Sequence, residues 1–190
     1  MYIVDMIYIP KNLPKKYSAV FIYVVAEAIY NNVVTTKQLI MKMKLNDTQH
    51  TRKFINTCIG YMLDNEIVDG KKLSMNKYEI YRKEVNLKSG KYYSVEYSDI
   101  SKIIDIPDQC NRLDLIDYYL VLSSTINYYS KIGFISIATL SERCGITEAT
   151  ICKYNKILVK NKIIYIRPSR KQGVSNRYCH YKDIDKLKNV

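Results

Sequence analysis

A mainly α-helical chain with small β-hairpins, an α+β fold laid down twice in tandem, is what this 190-residue sequence predicts. Three observations carry that expectation. From Ser136 to Arg177, two short amphipathic helices flank a glycine and are followed by two β-rich runs around a basic turn. The first half repeats the same order. Both halves are also basic, with 15 Lys and Arg against 8 Asp and Glu over residues 1–95 and 15 against 10 over 96–190, while Glu96 to Asp117 between them holds six acids and two bases. Two basic bodies around an acidic joint fit two binding modules better than one basic tail on a neutral domain. The expected division is a first domain at 1–104, an acidic connector at 105–111 and a second domain at 112–190, with each domain large enough to bury a core.

The first module opens with an apolar strand from Tyr2 to Ile9, closed by Pro10. A helix follows from Lys15 or Lys16, and its run YSAVFIYVVAEAIY is the most apolar in the chain. That run is shorter than the roughly 20 residues a membrane span needs and contains Glu27, so a buried core helix is expected and no membrane partner. Thr35 or Thr36 caps a short second helix with Leu39, Ile40 and Met43 inward, and Asn46 or Asp47 caps a third. In that third helix Ile55, Cys58, Ile59 and Met62 recur at helical spacing as a core stripe. Gln49, Lys53 and Asn56 then project together on the other side. Gln and Asn can bond an adenine edge bidentately, and the plain alternative for the three is a solvated polar face. A long hairpin is expected from Ile67 to Tyr97, with Gly70 and Gly90 at turns and Lys71, Lys72, Lys77, Arg82, Lys83, Lys88 and Lys91 as cations for phosphate contact.

In the second module Ser136 caps a helix carrying Ile137, Leu140 and Cys144, and Gly145 supplies a left-handed turn. Thr147 caps the next helix, whose buried stripe is Ile151, Tyr154 and Leu158. Its opposite face holds Ala149, Cys152, Lys153 and Lys156, small side chains first and cations after. Glu148 can accept from cytosine N4 or simply complement the helix N-terminus, and the second is preferred. The strand IIYI leads into RPSRKQGVSNR, four cations and no acid, and the chain returns as RYCHY.

This succession is the layout of a winged helix-turn-helix, in which the third helix enters the major groove of DNA and the hairpin, or wing, touches backbone or minor groove. Short internal matches support a tandem pair: YSDISKI at 97–103 with YKDIDKL at 181–187, LDNEIV at 63–68 with VKNKII at 159–164, and TTKQLIMKMKLNDTQHTRKFI with ISIATLSERCGITEATICKYN. Their shrinking offset predicts a longer third helix and a longer wing in the first copy. The expected DNA-contacting residues are Gln49, Lys53, Asn56, Lys71 and Lys72 in the first module, and Thr147, Ala149, Lys153, Lys156, Arg167, Arg170, Lys171 and Arg177 in the second. The whole resembles the helix-turn-helix replication and regulatory proteins of plasmids and phages from low-GC Gram-positive bacteria, and IYIPKNLPKKY is loosely similar to the opening of some plasmid initiators. The resemblance implies binding to origin repeats and recruitment of host replication machinery.

The remaining composition narrows the class. A net charge of +12 and a pI near 9.3 favour a polyanionic partner. Five cysteines without a CxxC pair point to a reduced cytoplasmic protein, and His50 and His180 stand apart from any metal-binding spacing, so neither metal nor cofactor is expected. The N-terminus lacks a signal peptide's features. The six glycines assemble no phosphate loop, and acid pairs such as Asp114 with Asp117 or Asp183 with Asp185 fit helix-start charges, so no catalytic residue and no enzyme are expected. The 19 tyrosines match the coding bias of an AT-rich genome. Stacking on single-stranded bases would need aromatics exposed on a basic sheet, whereas Tyr17, Tyr23, Tyr118, Tyr119 and Tyr154 fall on core helices. The expected function is sequence-specific binding of double-stranded DNA by a mobile-element protein, in replication initiation or transcription regulation, by one chain on two segments or by a homodimer on a palindrome. The alternative is a phage-encoded interaction module that grips a host replication or defence protein.

Overall fold

A computed structural model describes residues 6–81, 83, 92–107, 111–127, 129–169 and 175–188. The chain is a mixed helix-and-strand protein with small sheets, and it divides into two compact units, Met1–Ser98 and Asp99–Val190. The first unit thus ends six residues before the boundary at 104 expected from sequence. The reason is that Asp99, Ile100, Ile103 and Ile104 are buried and group with the second half. The expected connector at 105–111 begins inside a helix at Asp105, and its residues 108–110 lie outside the described residues.

The first unit runs β1 (Met6–Pro10), α1 (Lys15–Tyr30), β2 (Val33–Thr35), α2 (Thr36–Lys42), α3 (Gln49–Asp64), β3 (Asp69–Ser74), β4 (Lys77–Tyr81) and β5 (Tyr92–Glu96). Helix α1 starts where expected and buries every residue from Tyr17 to Ala28. Its Glu27 is tied to Lys42 of α2, so the carboxylate inside the apolar run has a cationic partner. The capping box of α2 is complete: the Thr35 side chain accepts from the Gln38 amide, and the Gln38 side chain accepts from the Thr35 amide. Met43, Ile55, Cys58, Ile59 and Met62 are fully buried, as their spacing predicts. The cap of α3 is Thr48, accepting from the Thr51 amide at 3.1 Å, and not Asn46 or Asp47. Asp47 instead holds Arg52 through two bonds of 2.6 and 2.8 Å.

The expected thirty-residue hairpin is two separate structures. Strands β3 and β4 form a short hairpin that turns at Met75 and Asn76, and β2 pairs with β4 to give a sheet of order β2-β4-β3. Strand β5 pairs instead with β1 in its own two-stranded sheet, from Met6 opposite Glu96 to Pro10 opposite Tyr92. Gly70 is no turn residue. It lies within β3 at φ 149°, where a Cβ would sit 2.0 Å from the Glu79 carbonyl oxygen. Gly90 lies outside the described residues.

Helix α4 (Tyr97–Asp105) begins directly after β5 and continues into the second unit. That unit then runs α5 (Arg112–Ser123), β6 (Gly133–Ile135), α6 (Ile137–Cys144), α7 (Glu148–Lys160), β7 (Ile164–Arg167), β8 (Asn176–His180), a 3₁₀ turn (Tyr181–Asp183) and α8 (Ile184–Lys188). The sheet order β6-β8-β7 repeats the connectivity of β2-β4-β3. Ser136 caps α6 and Thr147 caps α7, and Gly145 between them is left-handed at φ 67°. Ile151, Tyr154 and Leu158 are buried as expected.

The two third helices end alike. Glu66 and Lys162 have φ 52° and 53°, and the Ile67 and Ile163 amides reach back to Met62 and Leu158 at 2.8 and 3.0 Å. This is a Schellman closure made without glycine, and it accounts for the match between LDNEIV and VKNKII. The first of these helices is the longer, 16 residues against 13.

Candidate nucleic-acid interface

On α7 the side chains of Ala149, Lys153 and Lys156 are exposed, and steps of four and three residues place them on one stripe. Lys160, not singled out from sequence, extends the stripe by four more residues and is exposed too. Thr147 is exposed at the head of the helix, where its hydroxyl accepts from the Thr150 amide at 3.2 Å and pairs with the Thr150 hydroxyl at 2.9 Å. The result is a row of cations with a small side chain at its N-terminal end. Cys152 is half-buried at the edge of the row.

On α3, Gln49 and Lys53 are exposed, but Asn56 is placed differently from the sequence reading. Its Oδ1 accepts from the Thr36 hydroxyl at 2.6 Å and the Tyr78 hydroxyl at 3.0 Å, and its Nδ2 donates to Asn76 Oδ1 at 2.9 Å. An amide engaged on both sides has no bidentate pattern left for adenine. Asn56 belongs instead to a network that ties α3 to the start of α2 and to the hairpin turn.

The same residue recurs in the second unit. Eight residues separate Thr48 from Asn56, and eight separate Thr147 from Asn155. Asn155 is buried, accepts from the Tyr118 hydroxyl at 2.5 Å, and is also hydrogen-bonded to Tyr178 of β8. Burial, foremost among the causes, pushes the Tyr118 and Tyr178 hydroxyls above the ordinary tyrosine range and keeps them neutral donors or acceptors. Asparagine is polar in sequence, so periodicity alone places Asn56 on the outer face, and it gives no sign of Asn155.

The first hairpin presents Lys72, Lys77 and the 78% exposed Met75 around its turn. Lys71 is paired with Glu79 at 3.1 Å, and Lys83 with Asp69 at 3.3 Å and with the Glu66 carbonyl at 2.6 Å. The turn is anchored to the helices, because the Thr36 amide donates to the Asn76 carbonyl at 3.0 Å. Arg82, Lys88 and Lys91 lie outside the described residues, as do Arg170 and Lys171 of the second hairpin.

Arg167 and Arg177 are described and lie opposite one another on β7 and β8. Neighbouring Tyr178 points to Asn155 of α7, so alternation along β8 turns Arg177 and its partner Arg167 to the other face of the sheet. They do not join the cations of α7.

A polar cluster that sequence reading missed sits in the second unit. The Tyr119 hydroxyl donates to Asp99 Oδ2 at 2.9 Å, Lys102 bonds Asp99 Oδ1 at 3.0 Å, and His180 Nδ1 lies 3.2 Å from the Tyr119 oxygen and 3.7 Å from Asp99. Burial opposes the Asp99 charge, yet hydrogen bonds from His180, Lys102 and Tyr119 outweigh it and hold the carboxyl below its usual range. The cluster joins α4, α5 and β8 through residues 20 and 61 positions apart, a separation that no local motif signals. Among the described residues no group of His, Cys, Asp and Glu is arranged to hold a metal ion, and no helix is long and apolar enough to cross a membrane.

No protein-family model and no curated protein matches the chain. Among solved structures it is similar to ScpB from Mycobacterium tuberculosis, at 12% sequence identity and a TM-score of 0.28, over 90% of this chain and 96% of that one. A likeness of that size carries no argument about function, which rests on the residues described above.

Proposed function

We propose that each unit is a winged helix-turn-helix and that the protein is a non-enzymatic, sequence-specific binder of double-stranded DNA. The supporting observation is the order helix, strand, helix, helix, strand, strand, met twice with the same sheet order, and with exposed cations on each third helix. A helix of this kind fits the major groove when its outward stripe begins with small or amide side chains and continues with cations. In the second unit that stripe is Ala149, Lys153, Lys156 and Lys160. In the first it is Gln49 and Lys53, with Lys72 and Lys77 of the hairpin for the adjacent backbone.

Within this reading, the protein serves a mobile element, in replication initiation or transcription regulation, as its resemblance to plasmid and phage proteins implies. The test is selection from a random duplex library at about 150 mM salt, followed by footprinting of the enriched site. A defined two-part motif is expected. Its position at origin repeats or at a promoter separates initiator from regulator, and absence of enrichment over bulk DNA overturns the reading in favour of a protein-interaction module.

A further inference from the structure

The outer face of the second unit's sheet carries a row of side chains that the proposed duplex surface does not use. Phe134 of β6, Arg177 of β8 and Arg167 of β7 are register partners across all three strands. Residues directly opposite one another share a face, and two contacts agree with that placement. The Arg177 guanidinium carbon lies 5.7 Å from the centre of the Phe134 ring. Arg167 Nη1 donates to the Leu187 carbonyl at 3.1 Å, and Leu187 packs with Cys179, two residues from Arg177 on the same side of β8. The opposite face holds Tyr178 against Asn155 of α7. The row therefore points away from the helix proposed to read the duplex.

Its chemistry is specific. Phe134 is 59% exposed although Gly133 and Ile135 on either side are buried, so the ring contributes little to the core. A cation over an exposed ring is worth only about 0.5–1 kcal/mol, a small return for leaving a phenyl in water. Strands β6, β7 and β8 contain no acidic residue. The three positions span two strand spacings, about 10 Å, and together present a flat apolar ring continuous with one guanidinium and followed by a second.

We propose that this row is a binding site for single-stranded nucleic acid. An unstacked base lies on the surface formed by the Phe134 ring and the Arg177 guanidinium, and Arg167 and Arg177 take the flanking phosphates. A duplex does not meet this requirement, because its base faces are hidden in the stack, whereas every unpaired base offers a face to an aromatic or to a guanidinium plane. Charge complementarity favours a polyanionic strand, since the row carries two fixed cations and no acid.

The test is fluorescence anisotropy of the full chain with a labelled thymidine homopolymer of about twelve nucleotides at about 100 mM salt. Phe134→Ala is expected to weaken binding about fivefold or more, the size of one lost stacking contact, while Phe134→Tyr retains it. Both variants are expected to keep the melting temperature, because the ring is outside the core. Duplex affinity in the same variants is expected to stay unchanged. The homopolymer measurement stands whether or not a duplex site is found, so the two readings fail separately. Equal binding by wild type and Phe134→Ala overturns the site. So does displacement of the strand by a poly-glutamate peptide at matched charge with the same dependence on Phe134, which would reassign the row to an acidic protein partner.

Discussion

Asn155 is 8% exposed, and its amide is the partner of the Tyr118 hydroxyl, itself only 1% exposed. Removing one member of such a pair costs more than the bond is worth, because the other is left buried and unsatisfied. Asn155→Leu is therefore expected to destabilise the second unit by about 2 kcal/mol, read as a shifted urea midpoint at constant slope. Asp99 gives a pH-dependent counterpart. Its folded carboxyl titrates below the unfolded value of about 3.9, so its stabilisation is fully present above that pH and is lost as pH falls through the folded value. Wild type is expected to lose stability below about pH 4. Asp99→Asn is expected to be less stable at neutral pH and flatter in that acid window, in thermal melts taken across it.

Two glycines at positive φ, Gly70 and Gly145, make a comparison at the level of elements. Gly145 is left-handed but open, with nothing within 4 Å of an added Cβ, so Gly145→Ala meets only the conformational penalty, about 1 kcal/mol. Gly70→Ala drives a Cβ to 2.0 Å from the Glu79 carbonyl oxygen, and the hairpin must part to admit it. Gly70→Ala is expected to cost clearly more, with faster amide exchange in β3 and β4 as the check. These elements also show how far the sequence was legible. Ser136, Gly145 and Thr147 each announce a cap or a turn by their own chemistry, and their helices lie where expected. In the first unit the left-handed residue after α2 is Lys44 at φ 51°, and the cap is Thr48, one residue beyond the Asn-Asp pair that attracted the assignment. The expected long wing differs because Tyr92–Glu96, like β8, is a tyrosine-bearing stretch just ahead of the matched YSDISKI and YKDIDKL segments, while its partner, β1, lies more than eighty residues earlier and leaves no local trace. Asn56 and Phe134 mark the same boundary for the candidate site. Periodicity gives the face of a helix or strand, but not which polar side chain turns inward to a network or which aromatic is left in water.

At the scale of the whole molecule the net charge of +12 makes some attraction to any polyanion inevitable, so the informative quantity is how individual cations change the salt dependence. On the proposed reading, Lys153→Ala with Lys156→Ala lowers the slope of log affinity against log salt by about 1.8, two phosphate contacts at about 0.9 each. An unchanged slope in the folded variant removes α7 from the proposed DNA surface. On the same reading, the inward-turned asparagine repeated in both units has a further consequence for the target. Anchored eight residues after the capping threonine, it fixes the rotational phase of each third helix, so that equivalent positions can be matched one to one. At that phase Gln49, Lys53 and Thr57 of one unit correspond to Glu148, the half-buried Cys152 and Lys156 of the other. If each third helix reads DNA as proposed, two helices lettered differently do not ask for two copies of one word. The site that satisfies a single chain should be an asymmetric phrase, neither palindrome nor direct repeat, with a fixed left and right end.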